Sequence, residues 1–175
     1  MFRLIAALSI LCAGCVAKEQ PEWAKIVAAY EVPLPAEEDK AKFLDLLKVQ
    51  ARAGSFHVDA ASQSELKRLS EVSPITFNAS VWSGKEDEES IAAAMDFKDH
   101  IGRVWLTFPL GKRPAQTARF RDDLMPLIRK VWPNTKSLPI MPSGAIPLAE
   151  DLVTTPTGYV VKPSAAAKYR DTPNK

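Results

Sequence analysis

Apolar residues recur along the chain with two periods, and the switches between them predict the order of elements. From Ala24 to Leu34, Ile26, Ala28, Tyr30, Val32 and Leu34 alternate with other residues, as on a strand with one face toward a core. Pro35 to Ala53 changes to helical spacing, with Phe43, Leu44, Leu47 and Ala51 as the apolar stripe. Glu37, Glu38 and Asp39 suit the positive end of that helix's dipole, and Gly54 suits its terminus. Ser55 to Ala60 returns to alternation, with Phe56, Val58 and Ala60 on one side and His57 and Asp59 on the other. Ser62-Gln63-Ser64-Glu65 is a capping box, and it opens a brief helix that carries Leu66 and Leu69 and stops before Pro74.

Ile75 to Trp82 has apolar odd and mostly polar even positions, the clearest strand pattern in the chain. Ile91, Ala93, Met95 and Phe97 repeat it, and after a turn at Asp99 to Gly102 it resumes at Val104, Leu106 and Phe108, which predicts a three-strand meander. Matching the apolar faces sets Phe97 opposite Val104, Asp96 opposite Trp105 and Trp82 opposite Ser90. Trp82 and Trp105 then stand roughly 20 Å apart at the usual strand rise, too far to form one clamp. Pro114 opens a second long helix through Phe120, Leu124, Leu127, Ile128 and Val131, in which Pro126 opposes the carbonyl four residues back and predicts a kink.

Beyond Pro133, prolines at 139, 142, 147 and 156 exclude a helix, and only Tyr159 to Lys162 has strand character. Leu138, Ile140, Ile146, Leu148, Leu152 and Val153 make the segment from Leu138 to Thr157 too apolar for a solvated linker, so it is expected to wrap the domain. The order of elements predicts an α+β fold: a mixed or antiparallel sheet with two long helices on one face, for which a ferredoxin-like variant is the nearest named arrangement. The single domain spans residues 24–163, and residues 164–175 form a loosely ordered tail.

The first residues follow a different logic. Met1-Phe2-Arg3 supplies a positive charge, Leu4 to Leu11 is apolar, and Cys12-Ala13-Gly14-Cys15 closes the run with small residues, the order of a secretory signal. The apolar stretch to Ala17 is shorter than the roughly 20 residues a helix needs to cross a bilayer, so cleavage is expected. Ala13-Gly14-Cys15 resembles the lipobox of bacterial lipoproteins, with Cys12 where that pattern prefers Leu, Val or Ile. The resemblance implies a signal peptide over residues 1–14, acyl chains on Cys15, and a lipidated N-terminus and tether over residues 15–23. Several acyl chains hold firmly where one gives marginal attachment. Val16, rather than Asp, after the cysteine implies the outer membrane, facing the periplasm. Ordinary signal cleavage after Ala17 is the alternative, and it releases a soluble protein. Residues 16 to 22 reach no more than about 25 Å, which keeps the domain near its membrane.

Removing 14 of 175 residues leaves 161, a usual length for one core, and no cysteine follows Cys15. That excludes a disulfide, a thiolate metal site or a cysteine nucleophile within the mature domain. With 23 Lys and Arg against 21 Asp and Glu, the balance gives no reason to expect nucleic acid. The signs are unevenly spread: Lys85 to Asp99 holds six acidic and two basic residues, whereas Arg103 to Lys136 holds eight basic and two acidic. Solvated faces explain such runs, and so does electrostatic steering of a partner.

Chemistry-bearing clusters are sparse. His57 with Asp59, and Asp96 and Asp99 with His100, offer imidazole and carboxylate groups, but no spacing matches a metal site. No Gly-x-Ser-x-Gly turn or phosphate-binding glycine cluster is present, and Glu86-Asp87-Glu88-Glu89 reads as a solvated polar connection. No catalytic residue, metal ligand or cofactor is assigned. Trp82 and Trp105 fall on the polar face of the meander with Asn78 and Arg103 nearby, and these four residues are the candidate partner-binding set. Cover by a loop or helix is the alternative for each tryptophan. The leading expectation is a membrane-anchored, non-catalytic binding module of the cell envelope, of the inhibitor, immunity or accessory type, with a protein partner. The alternative is a small envelope hydrolase using His57 or His100 with nearby carboxylates.

Overall fold

The computed structural model describes residues 21–71, 75–84, 89–96 and 100–169, so Cys15, Phe97, Asp99 and the acidic residues 86–88 lie outside it. The fold is α+β. Strands β1 (Ile26–Pro33), β2 (Phe56–Ala60), β3 (Asn78–Ser83), β4 (Glu89–Met95), β5 (Arg103–Pro109) and β6 (Lys136–Ser137) form one sheet in the order β2-β3-β4-β5-β1-β6. Every pairing in it is antiparallel. A small second sheet pairs β7 (Leu152–Thr154) with β8 (Tyr159–Val161).

Helix α1 (Glu37–Ala53) connects β1 to β2, and α3 (Pro114–Val131) connects β5 to β6. Each joins two strands that run the same way: β5, β4 and β3 lie between β1 and β2, and β1 alone lies between β5 and β6. The short α2 (Gln63–Ser70) precedes β3, and both halves of its predicted capping box are present: Ser62 Oγ accepts from Glu65 N, and the Glu65 carboxylate accepts from Ser62 N. Those hydrogen bonds from Ser62 also hold the Glu65 carboxyl below its ordinary pKa.

The main core lies between the two long helices and one face of the sheet. Val32, Val81, Ala92, Ala94, Val104, Leu106 and Phe108 point into it from the strands. Phe43 and Leu47 of α1, with Phe120, Leu124 and Ile128 of α3, close it from the other side. Phe43 meets Phe77 and Trp132 edge-on, each at 5.7 Å between centroids, which stitches α1 to β3 and to the end of α3. Helix α3 continues through its exposed Pro126 to Val131.

Two bulges displace the expected alternation. The register of β1 against β5 shifts between Ile26 and Ala28, so Ile26 joins the opposite face from Ala28, Tyr30 and Val32. A second shift, where Val81 pairs with Ala92 but Trp82 pairs with Ser90, inserts Ile91 as an extra residue. The expected pairing of Trp82 with Ser90 is therefore found, and Ile91 is in the core as expected, but the later core positions of β4 are Ala92 and Ala94, not Ala93 and Met95. Met95, not Asp96, stands opposite Trp105. One extra residue flips every later side chain to the other face.

Asp96 thereby points inward. Fully buried, its carboxylate accepts from the backbone N–H groups of Thr76 at 2.8 Å and Phe77 at 3.0 Å, and from the Thr76 hydroxyl. Thr76 Oγ1 in turn accepts from Lys40 Nζ at 2.8 Å, so the chain of bonds ties α1 to the entry of β3 and the exit of β4. Nearby, Gly102 turns the chain into β5 with φ of 78°, and a Cβ there would lie 3.2 Å from the Pro35 backbone. Its carbonyl accepts from Leu34 N.

Replacing Asp96 by Ala strands three backbone donors, those of Thr76, Phe77 and Gly102, and a hydroxyl. A loss of about 3 kcal/mol of stability is expected, read as a lower urea midpoint at unchanged m-value. Asp96→Asn keeps one acceptor and should lose less.

Candidate functional site: the cleft beneath the C-terminal strap

On the sheet face away from the helices, the strands carry unlike surfaces. β1 and β5 present Ala29, Glu31 and Trp105, and these are buried under Leu138 and Leu152, with Ile140, Ile146, Ala149, Tyr159 and Val161 packed around them. The proline-rich segment from Leu138 onward therefore forms a strap over half of this face, as its apolar content implied. Its path is fixed by backbone bonds: Leu138 N donates to Ala29 O, β6 pairs with β1, and Ser137 bridges to Gly158.

Glu31 sits at the centre of this layer, 7% exposed. Trp105 Nε1 donates to its Oε2 at 3.2 Å, Tyr159 OH donates to its Oε1 at 2.5 Å, and Arg103 Nη1 lies 3.8 Å from the same Oε1. A carboxylate removed from water needs such donors, and here they come from two segments distant in sequence, β5 and β8. Burial, and after it the hydrogen bond to Glu31, holds the Tyr159 phenol above its ordinary pKa, so it stays a donor.

A cleft of about 350 Å³ opens over this group, at the lower end of the usual range for ligand sites. Glu31, His100, Arg103, Trp105, Leu152 and Tyr159 line it. The His100 ring lies 5.0 Å from that of Trp105, and Lys136 Nζ stands 5.7 Å over the Tyr159 ring. Two aromatic walls, a buried carboxylate and a half-exposed guanidinium at the rim make a site suited to a polar side chain or chain end.

The outer end of the strap is latched by Asp151. Its carboxylate accepts from Tyr169 OH at 2.6 Å and from Lys168 Nζ at 3.1 Å, and the Tyr169 oxygen accepts from Leu148 N. In the tail expected to be loose after Pro163, Ala165 is buried and residues Ala166–Tyr169 form a 3-10 turn. The three polar partners explain it, and nothing in the local composition signalled them.

The structure divides the four residues proposed from sequence. Arg103 and Trp105 share the cleft, and the strap covers the Trp105 ring to 9% exposure. Asn78 and Trp82 lie across the sheet in a separate shallow hollow with Asp59, Ser80 and Arg68. His57 pairs with Trp82 on the edge strand β2, whereas His100 is buried against Trp105, so the two histidines belong to different surfaces. Among the described residues no group of three His, Cys, Asp or Glu side chains is placed to hold a metal ion.

Glu89 departs from its expected place in a solvated connection. It begins β4 with 4% exposure, and its carboxylate accepts from Lys112 N beside the start of α3, where an anion is favoured by the helix dipole. Glu31 and Tyr159 were not singled out from sequence. The available signal was an acidic residue set between Tyr30 and Val32 in an apolar strand. Its aromatic donor lies 128 positions away, beyond any local pattern. No protein-family model matches the chain, and no curated protein matches it in sequence.

Two outcomes test this layer. Tyr159→Phe removes one donor to Glu31 and should cost about 1 kcal/mol in urea unfolding. The latch should also depend on pH. The Tyr169 hydrogen bond, and then Lys168, lower the Asp151 pKa, so its contribution is present above the unfolded value and lost as pH falls below about 3.9. Hydrogen bonding to Asp151 raises the pKa of both Lys168 and Tyr169, so their share is complete below about pH 10 and lost above it. Amide protection factors across residues 148–169, taken relative to intrinsic exchange at each pH, should be highest between those limits.

Proposed function

We propose that the protein is a lipid-anchored binding module of the bacterial cell envelope, held through acylated Cys15, whose cleft beneath the strap receives a partner protein. The observation that carries this reading is the construction of the cleft. Glu31, Trp105 and Tyr159 hold one another in fixed orientations, and Arg103 stands at the rim, so the site meets its ligand already organised. Aromatic rings and an arginine at the centre of a small concavity are what protein interfaces use as anchors.

The commitment of Glu31 to Trp105 and Tyr159 favours binding over hydrolysis, because both carboxylate oxygens already accept hydrogen bonds. Those bonds, with Arg103 3.8 Å from Oε1, fix the carboxylate as an orienting group of the cleft wall. The periplasmic face of the outer membrane remains the proposed location, on the strength of Val16 after the cysteine. Trp82 and Asn78 form a second proposed contact, on the half of the sheet face the strap leaves open.

Cross-linking in intact cells tests the reading. Wild-type protein is expected to give a discrete adduct that Arg103→Glu reduces at least tenfold, an effect of about 1.4 kcal/mol or more. His57→Ala, on the edge strand β2 and outside the cleft, should leave the adduct unchanged. An unchanged adduct in Arg103→Glu would remove the cleft from the proposal. Separately, Cys15→Ser should abolish acylation and detergent-phase partitioning; continued membrane attachment of that variant would overturn the anchor.

A further inference from the structure

The N-terminal turn and the loop entering α3 form one surface. Residues Glu22–Ala24 make a 3-10 turn ahead of β1, and Gly111 N donates to Trp23 O at 2.8 Å while Leu110 N donates to Lys25 O at 2.7 Å. This lashing brings the Lys112 ammonium to 5.6 Å from the Trp23 ring. Trp23 is nevertheless 45% exposed, the same as the neighbouring Val27. A tryptophan left in solvent beside a long flexible cation is the pairing that settles at the headgroup level of a bilayer, with the indole in the interface and the ammonium reaching for phosphate.

Chain length selects the occupant. Six peptide steps separate Cys15 from Pro21, which at roughly 3.6 Å each allow about 22 Å at full extension. If Cys15 is acylated, the end of the sheet where β1 begins and β5 ends therefore lies against the membrane. Ile26 pairs with Pro109 there, whereas Pro33 pairs with Arg103 at the far end, about 20 Å away at the usual strand rise.

We infer that Trp23 and Lys112 form a membrane-contacting foot that seats this end of the domain on the lipid headgroups and turns the Arg103 and His100 end of the cleft toward the periplasm. The inference rests on the proposed acylation of Cys15. Bulk charge is not its source. Glu22 adjoins Trp23, Arg113 faces Glu89 at 4.0 Å, and β3 ends and β4 begins at the same end with an acidic sequence between them. The foot is accordingly weak alone and acts because the tether concentrates it at the surface.

The test supplies the tether chemically. The mature chain from Cys15 has a single thiol, which can be coupled to maleimide-bearing phosphatidylethanolamine in vesicles of phosphatidylethanolamine and phosphatidylglycerol. With brominated acyl chains in those vesicles, wild-type tryptophan fluorescence should be quenched, and Trp23→Phe should lose that quenching while Trp82, Trp105 and Trp132 still emit. Lys112→Glu should weaken it. Equal quenching in wild type and Trp23→Phe, or none in either, would overturn the foot. Because coupling replaces acylation, such a failure is separate from failure of the anchor, which is read from Cys15→Ser in cells.

Discussion

The Glu31 carboxylate is the interaction on which the second face of this sheet depends. It lies on a central strand, in a layer otherwise built of alanine, leucine and aromatic carbon, and it is stable there because Trp105 and Tyr159 donate to it. Those donors belong to β5 and β8, so satisfying one carboxylate joins the sheet to the strap. The same requirement sets the geometry of the cleft, since the side chains that neutralise and orient Glu31 are also its walls. Leaving such a carboxylate without donors would cost more than the hydrogen bonds themselves contribute, which is why the arrangement specifies a position for the strap instead of merely adding to its adhesion.

The helix-side core achieves its specificity differently. There the apolar volumes of α1, α3 and the strands fill one space, and Lys40, Thr76 and Asp96 bring polar groups to its edge. The two bulges reconcile these layers. By moving Ile26 to the strap side and inserting Ile91, they let strands of simple alternation serve two differently shaped surfaces. They also carry Asp96 inward, where it closes the meander against its own entry strand.

Coverage of the back face is partial. The strap shields β1 and β5, while β3 keeps Asn78, Ser80 and Trp82, beside Asp59 of β2, toward a shallow hollow. The proposed function draws on this asymmetry. A cleft at the boundary between covered and open halves places Arg103 where a partner can reach it, and a foot at the opposite strand ends would hold that boundary away from the lipid surface.

The sequence alone determined the fold class, both long helices, the capping box at Ser62 and the approximate course of every strand through β5, because periodicity and caps are local properties of the backbone. It also marked the proline-rich segment as a wrap, since its apolar residues had to be covered. Trp105 and Arg103 were legible as candidates from their place on a polar strand face. The pairing register of β4, the buried roles of Glu31, Asp96 and Glu89, the short β6 and β7, and the latch through Tyr169 were decided only by the tertiary structure. A bulge leaves no compositional trace when Ser90-Ile91-Ala92 fits either face, and a buried carboxylate reads as a solvated one until its donors arrive from distant segments.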